Sequence, residues 1–181
     1  MELLRQKFET LRDLYVNELH TLFSAETQLV EALPKMADGA TTPALKQAFT
    51  DHLAETRVHV ERLDQIFKDL SEKAMGETCE AMKALIKEAE LYIKAEGDDD
   101  VHDAGLIGAA QRIEHYEIAA YGTARALAFR LSDTRAADSL QTILNEEVAV
   151  DHKLTAIAES SVNVNAGSPV KAKSEFDVSI F

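Results

Sequence analysis

The chain contains no tryptophan, one cysteine, three prolines and seven glycines in 181 residues, and only 6% of it is aromatic. Average usage would supply about 13 glycines and about 9 prolines at this length, so a turn-dense sandwich or barrel is disfavoured. The single cysteine, Cys79, cannot close an internal disulfide, and nothing points to an oxidising compartment. Basic residues are also scarce: 19 lysines and arginines stand against 32 aspartates and glutamates, a formal charge of -13. Such a surface repels phosphate, so a nucleic-acid partner is not expected. No run of 18 apolar residues occurs, and residues 1–13 are charged throughout, without the apolar core of a signal peptide. A soluble cytoplasmic protein with no membrane partner is expected. At 46% hydrophobic residues, the chain is too apolar for wholesale disorder.

What the sequence does have is a helical period. Leu4, Phe8, Leu11, Leu14, Leu22, Ala25, Leu29 and Leu33 share one stripe at about 100° per residue. This first helix should end near Pro34 or Met36. The loop residues 37–43 follow, with Thr41 or Thr42 as cap and Pro43 at the first helical position of a second helix. That helix turns Leu45, Ala48, Phe49, His52, Thr56, Leu63 and Phe67 inward and ends near Leu70. A shorter crossover helix covers about residues 77–95, closed by Gly97 and the run Asp98-Asp99-Asp100. A third long helix starts after Asp103 and buries Leu106, Ala110, Ile113, Glu117, Tyr121, Ala124 and Ala128. A fourth runs from about Thr134 to Glu159. Two short-linked helix hairpins joined by a long crossover form the ferritin-like arrangement. The predicted fold is therefore all-α, a ferritin-like four-helix bundle with a long helical crossover between helices 2 and 3. Residues 1–160 form the bundle and residues 161–181 a flexible tail. The end of that tail alternates apolar residues (Phe176, Val178, Ile180), which suits either a frayed terminus or a strand-like peptide docking on a neighbouring chain or partner.

The inner stripes carry carboxylates that ought to be outside. Glu18 and Glu26 flank the centre of the first stripe. His52 and His59 lie within the second, with Glu55 at its edge. Glu117 is central on the third, with Glu114 beside it, and Glu147 and Asp151 are central on the fourth. A buried ionised carboxylate costs several kcal/mol or is forced neutral. Several together with only two histidines make sense around cations that take oxygen and imidazole ligands. Two ions in a bundle core are the di-iron or di-manganese design. Glu26 to Glu55 spans 29 residues and Glu117 to Glu147 spans 30, a weak internal repeat of the kind a two-fold dimetal site needs. Plainer roles also exist: Glu18 could pair with Arg12, Glu114 with Arg112, and His59 could sit partly exposed at the bundle surface.

The strings FSAETQL at 23–29, HLAET at 52–56, CEAM at 79–82, RIEHYEIAAYGT at 112–123 and Glu146-Glu147 to Asp151 carry a resemblance. Over about residues 5–160 the chain resembles the YciF/YciE family of bacterial stress-related ferritin-like proteins. That resemblance implies a four-helix fold, a homodimer and a rubrerythrin-like dimetal site. By position it implies metal ligation by Glu26, His52, Glu55, Glu114, Glu117, Glu147 and Asp151. The broader ferritin-like pattern pairs Glu with His three residues on; here the pairs are His52 with Glu55 and Glu147 with Asp151. Asp151 in place of an imidazole would make the site more anionic and favour Fe(III) or Mn(III).

The function expected is a stress protein holding two metal ions, iron foremost and manganese next, and handling O2 or peroxide. Oxidase, ferroxidase and peroxide-consuming activities all fit. Glu55 and Glu147 are expected to bridge the ions, Glu26 and Glu117 to bind terminally, and His52 or His59 with Asp151 to complete the shell. Tyr121, one turn beyond Glu117, would hydrogen-bond a ligand or sit as a core tyrosine. The alternative is a non-enzymatic dimeric bundle with a structural metal or a protein-interaction role.

Overall fold

The computed structural model describes residues 7–75 and 77–167. Four long helices form the bundle: α1 (Leu11–Gly39), α2 (Pro43–Asp69), α4 (Asp99–Arg130) and α5 (Thr134–Ile157). A shorter helix, α3 (Glu80–Ile93), lies in the crossover and packs on α1 and α4. Among the described residues there is no strand, and no helix is long and apolar enough to cross a membrane.

Three of the long helices, α1, α4 and α5, start at local caps. Thr10 and Asp13 form a reciprocal capping box at α1, with Asp13 N–H donating to Thr10 Oγ1 at 3.1 Å and Thr10 N–H to Asp13 Oδ2 at 2.8 Å. Asp98 accepts from the N–H groups of Asp100 and Val101, so the acidic run opens α4 rather than closing the crossover helix. Asp133 caps α5 through Ala136 N–H, and Ser132 before it takes a positive φ of 65° as the chain reverses. The N-terminus of α2 is different, because its own cap, Thr42, makes no side-chain cap bond. Asp103 of α4 does that work, accepting from Thr42 N–H at 2.7 Å, Thr41 N–H at 3.0 Å and Thr41 Oγ1 at 2.9 Å. Burial opposes ionisation of this carboxyl, but the hydrogen bonds from Thr42 and Thr41 prevail and hold it below the usual range.

Asp103 also fixes the topology. It puts the start of α4 at the start of α2, so those two helices are parallel, and the crossover runs the length of the bundle. Helix α1 packs on α2 and α4, and α5 on α4 and α2; the parallel pairs face each other diagonally. Two apolar clusters fill the ends. One gathers Leu33, Met36, Leu45, Phe49, Leu106 and Leu154, and the other Tyr15, Leu19, Leu63, Phe67, Leu140 and Ile143. A polar layer separates them.

The boundaries differ from expectation in three places. Helix α1 continues through Pro34 to Gly39 because Met36 and Ala40 beyond the proline are buried in the core. Helix α4 starts at Asp99, ahead of Asp103. Past Ser160 the chain stays helical, through a π-helical turn (Ala158–Val162) and the short α6 (Asn163–Ala166), because Val162 is wholly buried against the first cluster. The alternating segment at Phe176, Val178 and Ile180 lies outside the described residues.

Candidate metal centre

The polar layer is built from all four bundle helices. Helix α1 contributes Glu26, α2 His52 and His59, α4 Glu114 and Glu117, and α5 Glu147; none is more than 2% exposed. Two groups of converging atoms result. His52, Glu114, Glu117 and Glu147 form one, and Glu26, His59 and Glu147 the other, with ligand atoms in each within 4.8 Å of one another. Glu147 belongs to both. Its Oε2 stands 3.9 Å from His52 Nε2, and its Oε1 stands 3.0 Å from His59 Nδ1.

These atoms are close without satisfying one another. Both oxygens of Glu117 and of Glu147, one each of Glu26 and Glu114, both nitrogens of His52 and Nδ1 of His59 are buried and make no hydrogen bond among the described residues. Buried polar groups in folded proteins are normally paired, and each orphan costs about 1–3 kcal/mol. Orphans that crowd together and point at common spaces are the pattern expected of a metal ligand set. Carboxylate and imidazole are also the donors that iron, manganese and zinc take. The cluster can therefore hold a metal ion.

The electrostatics agree. Burial pushes the carboxyls of Glu117 and Glu114 well above their usual range, with Glu147 adding to both and His52 only partly offsetting it at Glu114. Burial likewise raises Glu26. Burial alone would keep both imidazoles neutral, but the carboxylates win. Glu114 and Glu55 lead in raising His52 to about 9, and Glu147 and Glu26 in raising His59 to about 10. Without a cation the layer balances its charge with protons.

An outer set of contacts orients the inner one. His59 Nε2 stands 3.0 Å from Glu146 Oε2, which also accepts from Arg62 Nη1. A carboxylate only accepts, so Nε2 carries a proton, and once Nδ1 gives up its own the lone pair faces the interior. This carboxylate–histidine arrangement is typical of metal-binding imidazoles. Tyr121 donates its O–H to Glu26 Oε1, and burial keeps that phenol protonated.

Of the residues expected from sequence, Glu26, His52, Glu114, Glu117 and Glu147 come together. Glu55 and Asp151 do not. Glu55 lies about 60° around α2 from His52; its side chain is 47% exposed and stands 3.8 Å from the outer nitrogen of His52. Asp151 accepts from Gln111 Nε2 at 3.1 Å and stands 3.5 Å from His115, on the rim between α4 and α5. The argument from an anionic Asp151 therefore does not apply, because two imidazoles occupy the layer. His59 is fully buried, not at the surface. The signal for it is its spacing: seven residues from His52 is about two turns, so both rings share one face. The plainer pairings are also displaced, since Arg12 binds Glu72 and Arg112 binds Glu88.

The family model for the Domain of unknown function (DUF892) matches residues 10–167. The chain belongs to that family. It is 43% identical over 159 residues to the protein YciF of Escherichia coli strain K12, covering 87% of this chain and 96% of YciF. The crystal structure of the E. coli stress protein YciF superposes with a TM-score of 0.83, covering 86% of this chain and 99% of that one. YcfI of Rhodopseudomonas palustris is similar at 43% identity and TM-score 0.80, covering 83% of this chain and 96% of that one. A two-domain protein of Anabaena variabilis with DJ-1/ThiJ/PfpI-like and ferritin-like domains shares the fold alone: 19% identity, TM-score 0.57, 91% of this chain and 40% of that one. This DUF892 chain is thus a YciF-like stress-family protein with the expected ferritin-like fold, and the expected family is the one found.

Proposed function

We propose that the chain is a dimetal carboxylate protein, with iron the first candidate and manganese the second, that handles O2 or peroxide. The observation that carries this reading is Glu147, whose two oxygens are buried, free of hydrogen bonds and turned toward different histidines. A carboxylate so placed suits a bridge between two ions. Charge supports the same count. The layer holds four carboxyls, Glu26, Glu114, Glu117 and Glu147, and two neutral-capable imidazoles. Two divalent cations would balance four carboxylates, and uptake would release the protons that the raised pKa values retain.

Each protein group then has a task. Glu147 would bridge, His52 with Glu114 and Glu117 would complete one position, and His59 with Glu26 the other. The second position has three protein ligands, which leaves room for a small oxidant. Tyr121 holds Glu26 by its hydrogen bond, and Glu146 with Arg62 holds the His59 ring. A bound pair of such ions supplies redox chemistry toward O2 or peroxide.

The test is elemental analysis of the purified protein, followed by peroxide-dependent oxidation of added Fe(II). Wild type should hold about two equivalents and accelerate oxidation, whereas Glu147→Ala should lose both properties. Equal oxidation rates in the two proteins would sink the enzymatic reading and leave a structural role for the metal.

A further inference from the structure

The ligand group is sealed by helices, so a cation needs a way in. Between α2 and α5 a cavity of about 130 Å³ opens from the surface, and its most buried lining residue is His52. Two other clefts lead elsewhere. One between α1 and α3 sets Lys35, Lys83 and Lys87 against Glu31 and Glu90 and has no member of the ligand group in its wall. Another, beside Cys79 and Tyr116, has no member of the ligand group in its wall.

The two ring nitrogens of His52 face different ways. Nε2 lies 3.4 Å from Glu114 and 3.9 Å from Glu147, toward the interior. Nδ1 faces Glu55 at 3.8 Å; it is buried and makes no hydrogen bond. Glu55 and Glu146 both line the cavity, but Glu146 is already held by Arg62 and His59. Glu55 has His52 as its nearest partner, with the weaker fields of His59 and Lys153 behind it. At the mouth, Lys153 Nζ donates to Asp51 Oδ2 at 2.8 Å, an ion pair that spans from α5 to α2.

We propose that this cleft is the entry port of the centre, where Glu55 and the outer nitrogen of His52 form a transit site for a divalent cation and the Asp51–Lys153 pair closes the mouth. The inference rests on the metal-centre reading above. A hydrated cation would be drawn to Glu55, exchange part of its water shell for that carboxylate, take Nδ1 as His52 releases a proton to solvent, and pass inward past the ring. Lys153 opposes this twice, by neutralising Asp51 and by placing a positive charge at the opening.

The experiment is stopped-flow uptake of Co(II) by the metal-free full-length protein, followed by its visible absorption at low salt. Glu55→Gln should slow uptake about three- to tenfold, and Lys153→Gln should quicken it by a similar factor, both effects shrinking as salt rises. Ala149→Trp would plug the cavity from an exposed wall position and should slow uptake most, with the wild-type endpoint still reached. Glu80→Gln, at the other cleft, should change nothing. Opposite effects of the two charge variants cannot come from misfolding. Normal uptake by wild type with unchanged rates in Lys153→Gln and Ala149→Trp would overturn the port alone. No Co(II) bound by wild type at equilibrium would overturn the metal-centre reading, and the port with it.

Discussion

The two hairpins bring different chemistry to the same layer. Helices α1 and α2 supply both imidazoles and Glu26, whereas α4 and α5 supply Glu114, Glu117 and Glu147. The even carboxylate spacing in the sequence pointed to two equal halves. The structure divides the layer by kind of charge instead. Groups able to carry a proton as cations sit on the first hairpin, and most of the anions on the second. The halves therefore attract across the bundle before any metal arrives, through His52 to Glu114 and His59 to Glu147. Arg62 with Glu146 and Lys153 with Asp51 add the same kind of link at the α2–α5 surface.

The sharpest way to break this comparison is to remove one carboxylate from each hairpin. Glu147→Ala should lower affinity at both positions, by more than about a hundredfold, since even outer-shell changes cost 10–100-fold. Glu26→Ala should weaken only the His59 position and leave about one equivalent bound. Metal content by elemental analysis separates the two outcomes, and equal losses would remove the special place of Glu147.

Next in size is the pH dependence of the metal-free protein. His52 and His59 are raised from an ordinary 6.5 to about 9 and about 10. A group raised on folding contributes stability that is complete below its unfolded pKa and is lost as pH climbs through the folded one. The raised carboxyls of Glu26, Glu114 and Glu117 act in the same sense from 4.5 upward. Melting temperature without metal should fall steadily between pH of about 6.5 and about 10. Metal requires deprotonated ligands, so the increment on adding it should grow over that window. A metal-free melting temperature that rises with pH would contradict the proton balance described for the layer.

Smaller again is the outer contact on the first hairpin's ring. Glu146→Gln should cost about tenfold in affinity at the His59 position, read by titration calorimetry, and leave the His52 position unaltered. The smallest effect belongs to the second hairpin. Asp151→Asn should keep the full metal content and lose about 1 kcal/mol or less of stability from its Gln111 hydrogen bond. Stripped metal in that variant would return Asp151 to the ligand set.

Much of this was legible in the residues. The four long stripes, the short hairpin links and the long crossover follow from apolar period and turn residues, and the inward carboxylates of Glu26, Glu114, Glu117 and Glu147 stand out on those stripes. Rim positions were harder. Glu55 lies at a stripe edge, where a small rotation of the helix decides between interior and surface; Asp151, central on its own stripe, is held at the rim by Gln111 and His115 of another helix. Arg112 reaches Glu88 across to α3, which sequence proximity to Glu114 disguised. Val162 looked like tail because its neighbours are polar, yet one apolar side chain reaching a core is enough to keep a turn of helix in place.

The cap of α2 has a consequence for how the molecule assembles. Thr41 and Thr42 wait for a carboxylate about sixty positions further along the chain. The first hairpin, although local and quick to form, is left with a frayed corner until the crossover has closed a long loop and delivered Asp103. Long loops close slowly relative to local turns. Docking of the second hairpin thus completes the first, and the two should appear in a single folding step rather than as independent halves.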